Sequence, residues 1–401
     1  MSITRILAAA LAVAFSAPAL SAQIAVRGEM VHTMAGDAIP NGVVLVRDGK
    51  IERVGPAAAV PIPAGYRVLE ARIVTPGLVD AHSVVGLAGA MNQPHDQDQL
   101  ERSAPIQPEL RAIDAYNARE ELVEWLRGFG VTTVHTGHGP GALASGQTMV
   151  VKTAGDNVAE ALVDSSTMVA FTLGRSVSSN FRSPGSRAKG VAMLRAELIK
   201  AREYDAKRRA GGEQARDLKL EALARVLNRE IPALVTAQQV PEILAALRLA
   251  DEFNLRLVLD GAAESYLVMD AIRTAGIPVI LHPTMIRLGG ETESATLETA
   301  RKLRDAGITF AFQSGYEGYV PKTRVVLFEA ALAAANGLAM EDALRAVTID
   351  AARIIGVEDR VGSLEVGKDA DLVLFDGDPF EYVTHVCAVL IDGEVVSEEC
   401  R

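Results

Sequence analysis

The stretch Val74-Thr75-Pro76-Gly77-Leu78-Val79-Asp80-Ala81-His82-Ser83-Val84-Val85-Gly86 decides the fold of this chain. It runs from an apolar segment through a Pro-Gly turn to an acid and a histidine, shortly before a glycine. A parallel barrel strand presents functional side chains in this way, at the carboxyl end where the backbone opens into a loop. We therefore expect a barrel strand that ends near His82, with the chemistry of the protein at that end.

Short β-branched segments alternate with helical patterns downstream of this stretch. The clearest strands are predicted at 130–135, 231–236, 255–260, 277–282 and 308–313. Helices are predicted at 114–129, 187–209, 214–228, 240–253, 297–306, 323–335 and 340–349. Alternation of this kind is typical of parallel β/α units. With the opening strand and a weaker one at 167–173, the count is about eight, which favours a closed (β/α)8 TIM-type barrel over an open sheet.

The two ends of the chain have a different sequence pattern from the middle. Residues 24–71 and the segment after Gly362 contain short strand patterns separated by turn signals such as Asp48-Gly49 and Asp392-Gly393. Regular turns between short strands indicate a small β-sandwich. We therefore expect residues 23–72 and 362–401 to fold into one composite β-sandwich domain. The α/β barrel, residues 73–361, would be inserted between its two parts.

Composition agrees with this fold class and excludes some functions. Hydrophobic residues make up 49% of the chain, but aromatic residues only 4%. A core of parallel strands built from Ala, Val, Leu and Ile has this character. The formal net charge is −11 at pH 7. Because a nucleic-acid surface needs clustered Lys and Arg to displace counterions, this charge argues against nucleic acid as a partner.

Residues 1–22 have the pattern of a secretory signal peptide. Arg5 precedes an apolar run from Ile6 to Phe15, and small residues follow up to Ala22. The apolar run is too short for a stable membrane anchor, and no second apolar segment in the sequence reaches spanning length. We expect the peptide to be cleaved and the mature chain to be periplasmic in a bacterium, or fully secreted.

The two cysteines of the chain, Cys387 and Cys400, flank the hairpin signal Asp392-Gly393. If Ile391 and Glu394 bracket a two-residue turn, the cysteines lie on one face of the hairpin, one pair out of direct register. An exported protein permits a disulfide between them. The alternative is a pair of free thiols near a frayed terminus.

Several separate stretches resemble the amidohydrolase superfamily, nearest to its exported imidazolonepropionase-like members. Residues 74–82 are similar to the strand that enters the barrel in that family, and residues 41–51 to the first hairpin of its sandwich. Residues 343–353 resemble its last barrel helix, and residues 361–373 the return to the sandwich. The resemblance spans nearly the whole mature chain. It implies the barrel fold and metal-dependent hydrolysis of non-peptide carbon–nitrogen bonds, such as those of cyclic amides.

The resemblance also implies a metal centre that can be compared position by position. The family holds one or two divalent metals with a His-x-His pair on strand one, an acid or carbamylated lysine on strand four, histidines on strands five and six, and an aspartate on strand eight. Here His82 keeps the first position, but Val84 replaces its partner on the same strand face. Strand four, 168–173, has neither acid nor lysine. Lys152 lies nearer strand three and is predicted to be structural.

The other family positions differ as well. Strand five ends in Thr236-Ala237-Gln238, strand six in Asp260-Gly261 and strand eight in Gln313-Ser314-Gly315. A catalytic zinc site needs about three protein ligands and an open position. The resemblance therefore predicts a degenerate centre in which His82 is the one recognisable metal ligand, and it predicts no resident cofactor.

Other polar residues are expected to reach the barrel mouth and could form a rearranged site. The carboxyl ends of barrel strands converge, so side chains from several strands and loops can share one pocket. Such a pocket could hold a single divalent metal such as zinc, unless each histidine simply bonds a neighbouring carbonyl. Asp80 is equally suited to fixing the strand-end turn and to acting as a base. The pocket candidates are His82, His138, His282, Gln238, Asp260 and Glu317.

Three functional hypotheses follow. The first is an exported amidohydrolase-family protein with weak or no hydrolase activity, because its metal centre is lost. The second is an active hydrolase with a mononuclear metal site near His82. The third is a non-catalytic binding or scaffold subunit. It would hold a small-molecule ligand in the barrel mouth, form a homo-oligomer, or pair with a related active amidohydrolase in a hetero-oligomer. The first and third are compatible, since loss of the chemistry leaves the pocket in place.

Overall fold

The computed structural model describes residues 23–91, 93–212, 214–315 and 325–400. The predicted signal peptide and the candidate Glu317 lie outside these residues. The described strands are β1 (Ile24–Val31), β2 (Ile39–Arg47), β3 (Lys50–Pro56), β4 (Arg67–Pro76), β5 (Leu78–Ser83), β6 (Val131–Thr136), β7 (Ala144–Gln147), β8 (Met149–Lys152), β9 (Leu162–Asp164), β10 (Val169–Thr172), β11 (Ala233–Ala237), β12 (Leu257–Gly261), β13 (Val279–Leu281), β14 (Phe310–Phe312), β15 (Leu372–Phe375), β16 (Val386–Ile391) and β17 (Glu394–Ser397).

The described helices follow the predicted pattern closely in some places and not in others. They are α1 (Glu121–Gly128), α2 (Val158–Ala161), α3 (Arg175–Asn180), α4 (Arg187–Arg209), α5 (Leu218–Leu227), α6 (Val240–Phe253), α7 (Met269–Ala275), α8 (Thr299–Asp305), α9 (Val326–Ala335), α10 (Met340–Ala346) and α11 (Ile349–Ile355). The bounds predicted for α4 and α6 are confirmed. The helix predicted from residue 114 starts late, because the Asn117 side chain accepts the Arg119 N–H and holds a turn there. None of these helices is both long and apolar enough to cross a membrane.

Both ends of the chain contribute to one seven-stranded sheet beside the barrel. Its order is β17-β16-β15-β4-β1-β2-β3, so the carboxyl-terminal strands join the amino-terminal ones where β15 pairs antiparallel with β4. Val26, Val44 and Leu374 belong to one apolar cluster on this sheet, and Leu45 and Tyr66 to a second, smaller cluster. This sheet-rich flanking domain, together with the barrel, confirms the predicted fold class.

The barrel closes through eight strand positions. Strands β10 to β14 are parallel and consecutive, and β5 is parallel to β6. A parallel bridge between Ser83 and Gly315 places the end of β14 beside β5. Backbone hydrogen bonding therefore joins the last strand position to the first.

The third strand position runs in the opposite direction to the others. It is occupied by β7 and β8, of which β8 pairs antiparallel with β6 and β7 antiparallel with β10. Only residues 137–143 separate β6 from β7. A parallel return needs a crossover of about a dozen residues or more, so a connection this short requires an antiparallel neighbour. The barrel thus departs from the regular (β/α)8 pattern at this one position.

Two inward-facing layers of side chains lie inside the barrel. Leu234, Val258, Ile280 and Ala311, one from each of β11 to β14, share an apolar cluster with α11. Because side chains two positions apart on a strand face the same way, the next inward layer toward the mouth is polar. It consists of Thr236, Asp260, His282 and Gln313, and all four are buried.

Lys152 connects the barrel with the flanking domain. Its Nζ lies 2.8 Å from Asp369 Oδ2, 3.0 Å from Asp371 Oδ1 and 2.5 Å from Asp392 Oδ1. The lysine side chain is 4% exposed. Lys50 reaches the other oxygen of Asp369 at 2.5 Å. The structural role predicted for Lys152 agrees with this position, because three carboxylates of the carboxyl-terminal segment converge on one barrel side chain.

Cys387 and Cys400 form a disulfide. The bond ties β16 to the residues after β17. Of the two alternatives that the sequence left open, the structure contains the bridge.

Candidate functional site

Asp260 is the centre of a buried hydrogen-bond cluster at the barrel mouth, which we call the Asp260 cluster. It comprises Asp260, His82, Thr236 and Gln313. Asp260 Oδ1 lies 2.9 Å from His82 Nδ1 and accepts a hydrogen bond from Gln313 Nε2 at 2.9 Å. Its Oδ2 accepts the Thr236 hydroxyl at 2.6 Å. Donors from three separate strand ends thus converge on one carboxylate.

The two charged members of the cluster shift each other's pKa. Burial disfavours the charged form of His82, but the carboxylates of Asp260 and, to a smaller extent, Asp80 raise the pKa of the imidazole above its ordinary value. Burial likewise opposes ionisation of Asp260, yet His82, Thr236 and Gln313 together hold its pKa below the ordinary value. The pair is therefore an internal ion pair whose partners stabilise each other's charged form.

Asp80 fixes the strand-end turn, which is one of the two roles considered for it. Its Oδ1 accepts the backbone N–H groups of Ser314 at 3.0 Å and of His82 at 3.3 Å. It therefore joins the end of β5 to the residue after Gln313. Its Oδ2 is buried and has no hydrogen-bond partner among the described residues. Burial raises the pKa of Asp80 to about 7, against the hydrogen bonds, which lower it.

Replacing Asp80 with asparagine is expected to change how stability depends on pH. Between about pH 4 and about pH 7 the folded protein keeps a proton on Asp80 that the unfolded chain loses. The contribution of Asp80 to the free energy of unfolding therefore falls as pH rises through this range. The amide oxygen of the substituted side chain would still accept both N–H groups without a charge. We expect the variant to exceed the parent in unfolding free energy by about 1–3 kcal/mol at about pH 8, and by less at about pH 5.

Urea denaturation across this pH range measures the difference between the Asp80→Asn variant and the parent. Asp270→Asn on α7 is the matched control, because the Asp270 side chain is 92% exposed. The Asp270→Asn variant should have nearly the same free energy of unfolding as the parent at every pH. A difference for Asp80→Asn that does not change with pH would show that Asp80 does not titrate in this range.

A small cavity lies directly at this site. Its volume is about 60 Å³, and four of the predicted pocket candidates line it: His82, His282, Gln238 and Asp260. Thr236 and Gln313 line it too. Val84, Pro140 and Ile286 supply apolar wall. Four of the six candidate side chains therefore lie around one cavity.

The remaining two candidates have different outcomes. His138 is not among the residues that line the cavity. It is buried against Gly146, where a Cβ would come within 2.2 Å of His138 Cδ2, and burial lowers its pKa to about 4. His138 is thus placed in the packing beside β7 instead of in the shared pocket. Glu317 lies outside the described residues, and its place in the pocket stays a prediction.

The sequence identifies Thr236 and Gln313 only as changed family positions and does not reveal their role at Asp260. Both donate to Asp260 and help to keep that carboxylate ionised. The available signal was strand periodicity: each lies two residues after an inward apolar residue, Leu234 and Ala311 respectively. The partner of each donor is on another strand, which periodicity does not reveal.

The residues present do not fit the metal centre that the fold implies. No group of three or more His, Cys, Asp or Glu side chains suited to a metal ion occurs in the described ranges. Both oxygens of Asp260 already accept hydrogen bonds, and the adjacent imidazole uses its Nδ1 on that carboxylate. Val84 contributes only an apolar side chain to the cavity. Hydrogen-bond donors of the protein therefore occupy both oxygens of Asp260, the one carboxylate of the Asp260 cluster.

The barrel, the flanking sheet and the position of the site at the strand ends define the class of protein. The family model described as the amidohydrolase family matches residues 73–396. The chain belongs to the amidohydrolase family.

Curated relatives include several imidazolonepropionases. The enzyme from Brucella anthropi is 27% identical over 385 residues, covering 89% of this chain and 91% of its own length. The one from Sphingopyxis alaskensis is 25% identical, with 88% and 92% covered. The chain is also 26% identical to Amidohydrolase tasK of Hapsidospora irregularis, of which it spans 39%.

Solved structures agree with this assignment. An amidohydrolase from Thermotoga maritima superposes with a TM-score of 0.89 at 30% identity, covering 94% of this chain and all of that one. A zinc-bound adenosine deaminase from Xanthomonas campestris has a TM-score of 0.55 at 18% identity, with 94% and 93% covered, and shows the shared fold alone.

Proposed function

We propose that this protein is an exported member of the amidohydrolase family that has lost metal-dependent hydrolysis and acts as a small-molecule binding subunit. The observation that carries the proposal is the Asp260 cluster. A metal site requires carboxylate and imidazole ligands that are free to bind the ion. Here the buried carboxylate is already bound by His82, Thr236 and Gln313.

Two features support export. The amino-terminal residues have the pattern of a cleaved signal peptide. The disulfide between Cys387 and Cys400 is of the kind that persists in oxidising compartments such as the bacterial periplasm. The two features are independent, because one is read from the leader and the other from the opposite end of the chain.

A binding role is supported by the cavity that remains at the mouth. Ligands of barrel proteins bind at the carboxyl ends of the strands, which is where this cavity lies. It retains polar groups, since His82 Nε2 and His282 Nε2 are buried and without a hydrogen-bond partner among the described residues. A filled, purely structural barrel would not keep unpaired polar atoms around an open space.

The same two atoms favour a second candidate function, an active hydrolase with a mononuclear metal. Metal-binding histidines commonly donate their other ring N–H to a carboxylate or a carbonyl. His82 Nδ1 contacts Asp260, and His282 Nδ1 contacts the Pro283 carbonyl at 2.8 Å. Two imidazoles alone fall short of the usual three ligands, so the binding function is the better supported of the two.

Metal analysis of the purified mature protein separates the two candidates. We expect well under one equivalent of zinc, manganese or iron per chain, and no change in thermal unfolding when a chelator is added. A bound metal would stabilise the folded state in proportion to its affinity, so a chelator would lower the unfolding temperature.

The matched variants are His82→Ala and His385→Ala. His385 pairs with Asp376 on the surface, and its side chain is 52% exposed. One equivalent of metal that disappears in His82→Ala but stays in His385→Ala would overturn the proposal and establish the mononuclear site. Stoichiometric co-purification of a related chain with the full histidine set would instead show that the protein acts as a scaffold subunit.

A further inference from the structure

The loop of residues 283–298, which we call the mouth loop, connects β13 with α8 and forms one wall of the mouth cavity. Pro283 and Ile286 of this loop line the cavity. The loop leaves apolar side chains in solvent, since Met285 is 40% and Leu288 67% exposed. A segment that buries little of its apolar surface depends on specific polar contacts to stay in place.

Glu291 attaches the mouth loop to the start of α3. Its Oε1 accepts the backbone N–H of Arg175, and its Oε2 accepts the backbone N–H of Ser176 at 3.1 Å. The preceding residue is Gly174, where a Cβ would overlap Glu291 Oε1. Glu291 therefore connects the loop after β13 with the loop after β10, and the absence of a side chain at Gly174 makes room for the contact.

Glu242 places a second carboxylate beside Glu291. Its Oε1 lies 3.2 Å from the same Cβ position at Gly174. The Glu242 side chain is 1% exposed, and it accepts Arg187 Nε at 2.8 Å and two backbone N–H groups just before α6. These donors stabilise the ionised form of Glu242. Two adjacent carboxyl groups are favourable when one of them holds a proton, and here that proton belongs on Glu291.

The surroundings of Glu291 determine how the contact responds to pH. Burial raises the pKa of the Glu291 carboxyl, the Arg175 N–H lowers it, and the charge of Glu242 raises it further, so that the pKa lies above its ordinary value. Glu242 on α6, Arg187 on α4 and the exposed Arg175 on α3 are the charged residues that the described neighbouring helices bring to this contact. The mouth loop itself adds Arg287, Glu293 and Glu298.

The sign of the pH dependence follows from the raised pKa of Glu291. The folded protein keeps this proton at pH values where an unrestrained glutamate has lost it. The stabilisation of the contact is therefore present at low pH and is lost as pH rises above the ordinary glutamate range.

We propose that Glu291 and Glu242 form a pH-sensitive latch that holds the mouth loop against α3 at low pH and releases it as pH rises. In the closed state Glu291 carries a proton that it donates to Glu242, and it accepts the two N–H groups of α3. Loss of the proton places two negative charges side by side, and the mouth loop moves away from the cavity. Control of ligand entry by this latch rests on the proposed binding function, but the movement of the loop does not.

Hydrogen exchange of the purified mature protein, followed by mass spectrometry and corrected for the intrinsic exchange rate at each pH, tests the latch. We expect protection in peptides that cover residues 170–180 and 284–293 to fall by about tenfold between about pH 5 and about pH 8. Peptides from α11, which does not contact the mouth loop through Glu291, should keep their protection over the same range.

Variants of the mouth loop make the test specific. Glu291→Gln should keep the loop protected at both pH values, because its amide donates to Glu242 and accepts an N–H group without a charge. Glu291→Ala should lose the protection at both pH values, because it has no acceptor for the α3 N–H groups. Glu293→Gln, an exposed residue of the same loop, should behave as the parent does.

Equal protection of the parent at both pH values would overturn the latch, and so would a pH-dependent loss that persists in Glu291→Gln. Full protection in Glu291→Ala at about pH 5 would also overturn it, because the contact would then not hold the loop. A stoichiometric metal in the purified protein would contradict the proposed function and leave these exchange results standing. The failure of the latch and the failure of the proposed function are therefore distinguishable.

Discussion

Replacing Asp260 with alanine is expected to lower the free energy of unfolding by about 3–5 kcal/mol, the typical cost of removing one partner of a buried ion pair. Asp260 is 2% exposed and accepts hydrogen bonds from His82, Thr236 and Gln313. The substitution leaves three buried donors without an acceptor and opens space in a packed layer. Urea denaturation monitored by circular dichroism measures the loss.

The control for Asp260→Ala is Asp251→Ala on α6, an exposed residue of the same type. It should change the unfolding free energy by no more than about 0.5 kcal/mol. A double-mutant cycle sharpens the result: Asp260→Ala and His82→Ala should be non-additive by about 1 kcal/mol or more, since each removes the same contact. Additive losses would show that the two side chains stabilise the fold independently and that the ion pair is not the reason.

Replacing Lys152 with methionine is the second change expected to have a large effect, again about 3–5 kcal/mol. Methionine nearly preserves the length and apolar stem of lysine but leaves the carboxylates of Asp369, Asp371 and Asp392 without their shared cation. Asp369 retains Lys50 and Arg360. Asp371 is buried and its ion pair is with Lys152, not with Lys50 or Arg360. Most of the loss in the free energy of unfolding should therefore come from Asp371. Thermal and urea denaturation of the variant measure the effect.

The Lys152 prediction has a pH signature. Burial raises the pKa of Asp371 to about 6 even with Lys152 present. Without the lysine, the folded state would take up this proton at still higher pH, so the loss of unfolding free energy should shrink as pH falls toward about 6 and change little below it. Lys200→Met on α4, whose side chain is 60% exposed, should cost no more than about 0.5 kcal/mol at any pH. A penalty for Lys152→Met that is equally large at about pH 5 and about pH 8 would contradict the assignment to unpaired carboxylates.

Under the proposed function, the Asp260 cluster accounts for changes at several family ligand positions at once. A buried carboxylate without a cation is costly, so a barrel that no longer binds metal needs protein donors around it. His82 supplies one of these donors through Nδ1. The hydroxyl of Thr236 and the amide of Gln313 supply the others.

Much of the fold was determined by local sequence alone. Apolar runs after Gly or Pro placed the barrel strands, and Ser186 and Gln239 cap α4 and α6 at the residues where the helical patterns begin. These features depend on chain segments a few residues long, so a sequence contains them in readable form. The antiparallel third position was missed. A connection as short as residues 137–143 indicates an antiparallel neighbour, but the apolar pattern of a strand does not show its direction.

The same distinction between local sequence and tertiary structure applies to the candidate site. The sequence by itself determined that His82 stands on the first barrel strand, that the apolar Val84 follows two residues later, and that polar residues end the fifth to eighth barrel strands. Only the tertiary structure decided that Asp260 bonds His82 across the barrel and that His138 lies outside the cavity. The pairing of His82 with Asp260 spans 178 residues of chain. The stagger and tilt of the closed barrel set such contacts, and these are properties of the whole sheet that no single strand encodes.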